Sequence, residues 1–167
     1  MEESGSDRQP VRARTGVGRT VVSVVALVAI VAWASKVVNL TIIGYAGVPR
    51  LPGEWRPFVS MWRIAAESGN ALYQLGGNVA LFLPLGLLLP LVWEPVFGRL
   101  VPTLVIGAAL SSGIELAQLT LVDGRVAATD DVILNVSGVL TGWLLWRLFM
   151  HFLARQGTAV VGLRRKP

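Results

Sequence analysis

Four long apolar runs constrain the fold of this chain more than any other feature. The first, VVSVVALVAIVAWASKVVNLTII, follows Arg19. At about 1.5 Å of rise per residue, a helix of this length crosses a hydrocarbon core of about 30 Å. We predict spans at about 19–43, 71–93, 100–122 and 131–153. The predicted fold class is therefore all-α, an integral membrane bundle of four transmembrane helices.

The composition supports a membrane protein and narrows its chemistry. The 167 residues are 53% apolar and 15% charged, with a mean hydropathy of +0.61, which leaves too little polar surface for a soluble domain. The chain has no cysteine and a single histidine, His151, so we expect no thiolate chemistry, no metal site and no cofactor. The net charge of +5 comes from charges at the ends of apolar runs, and we expect no nucleic-acid partner.

The polar segments divide the chain into one membrane domain and two tails. We predict a disordered cytoplasmic tail at 1–18, a four-helix membrane domain at 19–153 and a basic cytoplasmic tail at 154–167. The segment 44–70 contains several prolines and cannot span a membrane. It is predicted to be a loop with a short interfacial helix around Phe58–Ala66.

Lys and Arg are unevenly divided between the two sides of the predicted bundle. Ten lie on the side of the termini and five on the other, so the positive-inside rule places both termini in the cytoplasm. The ten are Arg8, Arg12, Arg14, Arg19, Arg99, Arg147, Arg155, Arg164, Arg165 and Lys166, and the five are Lys36, Arg50, Arg56, Arg63 and Arg125. A cleaved signal peptide is the alternative for the first span, because Ala32-Trp33-Ala34 resembles an A-x-A cleavage site. The apolar run continues past that site, which favours a retained span.

Polar side chains recur at helical spacing toward the outer ends of three spans. The acid Glu115 lies inside the third span, where a carboxylate costs at least a few kcal/mol unless it is paired, hydrogen-bonded or protonated. Arg125 in the next loop is the natural partner for Glu115 or Asp131, because its guanidinium binds carboxylates through two nitrogens. We predict one ligand-binding polar cluster near the extracytoplasmic surface. Its members are Asn78, Glu115, Gln118, Arg125, Asp131 and Asn135.

These polar residues also have a structural interpretation. Glu115 can belong to a structural ion pair, and Asn78, Gln118 and Asn135 can form hydrogen bonds that join helices. The sequence alone leaves the structural and the ligand-binding interpretations open.

The start of the fourth span carries two further patterns. Asp130 and Asp131 can cap the fourth helix and stabilise its dipole. Gly138 and Gly142 have the G-x-x-x-G spacing of a helix-packing face, which would also serve an oligomer.

An ordered set of motifs between Gly77 and Gly142 resembles the VanZ-like family. The motifs are N-x-x-x-F-x-P-x-G from Asn78, E-x-x-Q from Glu115, then Arg125, and D-x-x-x-N-x-x-G from Asp131. The resemblance implies a multi-pass protein of the bacterial cytoplasmic (inner) membrane, in a family named for a member linked to teicoplanin resistance. The residues carried over are Asn78, Phe82, Pro84, Gly86, Glu115, Gln118, Arg125, Asp131, Asn135 and Gly138.

Two functional hypotheses follow from the residues and the resemblance. The first is a cell-envelope protein that binds or shields a lipid, a lipid-linked cell-wall precursor or a lipoglycopeptide at the outer polar cluster, with resistance to glycopeptides as the result. The alternative is a membrane enzyme acting on a lipid-linked substrate with Glu115 or Asp131 as general base. The sequence contains no activated nucleophile, metal-ligand set or phosphate-binding loop, which favours binding. A transporter would need a translocation path that four helices scarcely provide.

Overall fold

The computed structural model describes residues 11–41, 56–67, 71–121 and 128–163, and these segments are almost entirely α-helical. The predicted all-α fold class is confirmed. The helices are α1 (Val11–Thr41), α2 (Val59–Glu67), α3 (Ala71–Val92), α4 (Glu94–Phe97), α5 (Leu100–Leu121) and α6 (Thr129–Leu163).

Four of these helices are long and apolar enough to cross a membrane, as predicted. The stretches that meet this condition are Val17–Thr41, Leu75–Val92, Leu100–Thr120 and Thr129–Gln156. Many large apolar side chains on α1 face outward, and Val25 and Val28 are more than half exposed. Such a surface suits acyl chains, which are as apolar as the side chains themselves. The cytoplasmic location of both termini stays a prediction.

The helices at both ends of the chain extend further than predicted. α1 begins at Val11, so residues 11–18 belong to this helix, whereas the sequence predicted a disordered tail there. No proline follows Pro10 before the span, so the helix propagates backward from its apolar part without a break. α6 continues to Leu163, well into the predicted tail at 154–167. Residues 1–10 and 164–167 lie outside the described residues.

A short helix lies between the first two spans. α2 confirms the helix predicted around Phe58–Ala66, and its Trp62 is strongly exposed. The rest of the predicted loop, residues 44–55 and 68–70, lies outside the described residues.

α3 and α6 approach each other so closely that glycine is required at the contact. A Cβ atom on Gly138 would overlap the carbonyl oxygen of Val79, and one on Gly142 would overlap that of Leu83. Gly86 makes an equally close approach from α3. The G-x-x-x-G spacing is therefore a packing face inside the chain. Because α3 covers this face, it is not available for the oligomer contact that the sequence also allowed.

α1 is attached to α3 through a tryptophan. The indole Nε1 of Trp33 donates a hydrogen bond of 2.6 Å to the carbonyl oxygen of Leu81. The same ring meets Phe82 edge to face, with centroids 5.5 Å apart, which is a favoured aromatic geometry. Pro84 lies inside α3 close to this contact. Phe82 is fully buried and belongs to the core that α3 and α6 form.

Candidate functional site

The polar residues predicted from the sequence meet at one end of the bundle. We call this region the polar end: the last turns of α1 and α5, the first turns of α3 and α6, and α2. Each predicted member within the described residues makes a hydrogen bond between two different elements, so the spans are joined by polar contacts at this end. The members are Asn78, Glu115, Gln118, Asp131 and Asn135.

Glu115 ties the end of α5 to the start of α6. Its Oε2 accepts a hydrogen bond of 2.9 Å from the backbone nitrogen of Ala128, which lies just before α6. The glutamate is only 7% exposed, and Ala128 is buried as well. A buried N–H group needs an acceptor, and Glu115 supplies it. The carboxylate is therefore held at the polar end rather than directed alone into acyl chains.

Two amide side chains connect α6 to its neighbours. Asn78 of α3 donates from Nδ2 to Oδ1 of Asp131 over 2.6 Å. Asn135 of α6 donates from Nδ2 to Oγ of Ser111 on α5 over 2.9 Å, and both of these residues are buried. These contacts give the interhelical bonding that the structural interpretation predicted.

Gln118 joins α5 to the end of α1. Its Nε2 donates to the carbonyl oxygen of Thr41 over 3.2 Å, and Thr41 is the last residue of α1. The final carbonyl groups of a helix have no partner within the helix. Gln118 is fully buried and supplies one such partner from another span.

Two acceptors at the polar end have no donor within the described residues. They are Oε1 of Gln118 and Oδ1 of Asn135, each on a side chain whose nitrogen is already bonded. A buried acceptor without a donor costs about 1–3 kcal/mol, and most such atoms in proteins have a partner. Their chemistry suits a bound group with N–H or O–H donors, such as a hydroxyl, an amide, an ammonium group or water.

Asp130 has a role that its position on α6 did not predict. Its two carboxylate oxygens accept hydrogen bonds from the backbone nitrogens of Phe58 and Met61, the second at 2.9 Å. These nitrogens are at the N-terminus of α2. Asp130 therefore caps α2, whereas the sequence suggested that it caps its own helix. The sequence indicates only that α2 lacks a cap of its own, because the residue before it, Phe58, has no side-chain acceptor. It does not indicate that Asp130 supplies the cap.

The predicted cluster is thus present as linked pairs at one end of the bundle. Arg125, the predicted partner of Glu115 or Asp131, lies outside the described residues, and its pairing stays a prediction. Ligand binding by Asn78, Glu115, Gln118, Asp131 and Asn135 also stays a prediction. Within the described residues, no three His, Asp or Glu side chains come together in a way that could hold a metal ion.

Comparison with known proteins places this arrangement in a family. The VanZ/LLP1 family model matches residues 20–150, which is well over half of the chain. The chain belongs to the VanZ/LLP1 family. The match includes every residue of the polar end that the structure describes, all of α3 and α5 and most of the apolar parts of α1 and α6, so the VanZ-like resemblance is confirmed. No curated protein and no solved structure matches the chain.

Proposed function

We propose that this VanZ/LLP1 family protein binds a lipid-linked cell-wall precursor or a glycopeptide-type antibiotic at the polar end, and that this binding contributes to glycopeptide resistance. The observation that carries the proposal is the pair of buried carbonyl oxygens on Gln118 and Asn135 that have no donor within the described residues. Sugars and peptides present many hydroxyl and amide donors, which are the groups that such oxygens bind.

The side of the membrane supports this choice of ligand. The positive-inside rule predicts that the polar end faces away from the cytoplasm, because Arg19, Arg99 and Arg147 lie toward the other end of the bundle. Cell-wall precursors and glycopeptides meet on that outer side. We expect Arg125 to contribute a guanidinium that pairs with a phosphate or carboxylate of the ligand.

The proposed mechanism requires only that the ligand occupies the polar end, without any chemical reaction. The helices are held together by the bonds of Glu115, Asn78 and Asp131, so the acceptors of Gln118 and Asn135 stand in fixed positions before the ligand arrives. Preorganised groups bind more tightly because less conformational freedom is lost.

A membrane enzyme receives less support from the same geometry. Oxygens of both candidate bases already accept hydrogen bonds, Glu115 from the backbone of Ala128 and Asp131 from Asn78, and these bonds fix the carboxylates in structural positions. Comparing the lipid and precursor pools of cells with and without the protein by mass spectrometry separates the two functions. A new product would favour the enzyme, and an unchanged set of lipids favours binding.

The decisive test is drug protection by variants at matched membrane levels. Cells producing the parent, Gln118→Leu or Arg125→Ala are challenged with teicoplanin, and the inhibitory concentration is measured. We expect both variants to lose the protection that the parent gives. Thr103→Val is the control, because Thr103 is a fully buried hydroxyl at the opposite end, where it donates to the Phe97 carbonyl oxygen over 2.8 Å. Full protection by Gln118→Leu and Arg125→Ala would make the polar end purely structural, and a parent that gives no protection would refute the link to resistance.

A further inference from the structure

A second site lies at the end of the bundle opposite the polar end. An open groove of about 910 Å³ runs between α1 and the last turns of α3, with α4 and α6 completing its walls. Its lining is mainly apolar, with Leu27 of α1 and Met150 of α6 among its residues. None of the residues of the polar end lines it, so the groove is separate from the proposed function.

An ion pair stands at the mouth of the groove. Nη2 of Arg19 and Oε2 of Glu94 are 2.8 Å apart, with the side chains 65% and 52% exposed. Exposed ion pairs contribute little to folding stability, so stability alone does not account for this one. A positive and a negative group side by side are complementary to a ligand that carries both charges itself.

A buried donor lies further inside. Trp146 lines the groove and is only 4% exposed, yet its Nε1 has no acceptor within the described residues. The hydroxyl of Ser23, also in the lining, is already used, since it donates to the carbonyl oxygen of Leu91 over 3.1 Å. That carbonyl would otherwise pair with the nitrogen of Pro95, which has no hydrogen. The indole N–H of Trp146 thus lacks an acceptor within the described residues, and a carbonyl oxygen of a bound ligand would supply one.

We propose that this groove binds one phospholipid with a zwitterionic, primary-ammonium headgroup, of the phosphatidylethanolamine type. The phosphate pairs with Arg19, the ammonium pairs with Glu94, and an ester carbonyl accepts from Nε1 of Trp146. The acyl chains follow the exposed apolar face of α1, where Leu27 lies about 12 Å further along the helix than Arg19 at ~1.5 Å per residue. Glu94 beside Arg19 offers a partner for an ammonium group, which a purely anionic headgroup lacks.

Native mass spectrometry of the full-length protein tests this site. The purified protein is titrated with phosphatidylethanolamine, phosphatidylglycerol or phosphatidylcholine, and the bound lipids are counted. We expect one phosphatidylethanolamine to bind in preference to the other two. Glu94→Gln removes the partner of the ammonium and should abolish the preference over phosphatidylglycerol. Trp146→Phe keeps the ring but removes one donor, and it should weaken binding about fivefold, as expected for a single neutral hydrogen bond.

A matched control separates this site from ordinary lipid contact. Trp143 also has a buried Nε1 without an acceptor within the described residues, but it does not line the groove. Trp143→Phe should therefore leave lipid binding unchanged. Equal binding of the three lipids, or stronger binding of phosphatidylglycerol, would overturn the proposal, as would a preference that survives Glu94→Gln. Because Glu94 is exposed, Glu94→Gln should fold like the parent. It therefore still tests the proposal if the tryptophan variants fail to fold. Because the groove and the polar end are separate, lipid binding and drug protection can fail independently.

Discussion

Asp130 shows how one side chain can supply what a distant helix lacks. α2 begins after Phe58, whose φ of 68° lies in the left-handed region that a bulky residue rarely occupies. The phenyl ring of Phe58 has no hydrogen-bond acceptor and cannot cap the helix. Asp130 is fully buried and accepts hydrogen bonds from two of the N–H groups at the start of α2. A carboxylate there also interacts favourably with the positive end of the helix dipole.

We therefore expect Asp130→Ala to detach α2 from the bundle. Loss of a capping side chain costs about 1–2 kcal/mol, which is measured as the free energy of unfolding in mixed micelles. Asp130→Asn keeps one acceptor oxygen and should lose less. Glu94→Ala, which removes a carboxylate that is 52% exposed at the other end, is the control and should unfold like the parent. Equal stability of Asp130→Ala and the parent would contradict the capping role.

A second prediction at the residue scale concerns Glu115. Its hydrogen bond with the Ala128 nitrogen needs an acceptor oxygen rather than a negative charge. Glu115→Gln keeps an oxygen for the Ala128 nitrogen and should therefore lose less stability than Glu115→Ala. Glu115→Ala leaves that N–H buried without this acceptor, which costs about 1–3 kcal/mol. The measurement is again the free energy of unfolding in mixed micelles. If the glutamine variant is as unstable as the alanine variant, the negative charge itself holds the polar end together.

At the scale of elements, the contact between α3 and α6 determines the bundle. We expect Gly138→Ala to lose about 3 kcal/mol of unfolding free energy, the upper part of the range for overpacked sites, because the added methyl meets the backbone of Val79 rather than a movable side chain. The matched control is Gly113→Ala on α5, where a Cβ meets nothing within 4 Å. Gly113→Ala should match or slightly exceed the parent in stability, since alanine favours a helix. Equal stability of the two variants would show that the helices separate readily.

The sequence pattern predicted the helices themselves better than the contacts between them. The length of an apolar run gives the length of the helix that it forms, so the spans and the short helix α2 could be located directly. The G-x-x-x-G spacing of Gly138 and Gly142 indicated a packing face but not that α3 covers it, because the matching Gly86 lies in a different run. The capping of α2 by Asp130 joins residues 72 positions apart, a relation that no local pattern contains.

At the scale of the whole molecule, the two ends differ in the way their polar groups are used. The polar end joins α1, α3, α5, α6 and α2 by hydrogen bonds from buried and half-buried side chains, whereas the opposite end carries the exposed ion pair of Arg19 and Glu94. The distance of Asn78, Glu115 and Asn135 from the ends of their predicted spans correctly indicated that they lie at one end of the bundle. Their pairing could not be predicted, because it depends on how the helices are rotated about their axes.

The orientation of this asymmetric bundle can be tested with single cysteines, because the chain has none of its own. Trp62 on α2 is 77% exposed and lies at the polar end, and Arg155 lies on the exposed extension of α6. In spheroplasts treated with a membrane-impermeant maleimide, Trp62→Cys should be labelled at once and Arg155→Cys only after the membrane is disrupted. The unmodified chain is the control and should remain unlabelled. The expected pattern follows from the excess of Lys and Arg on the side of the termini. A reversed pattern would place the polar end in the cytoplasm, where it could not meet a glycopeptide. The proposed function would then fail, even if every contact described for Gln118 and Asn135 were correct.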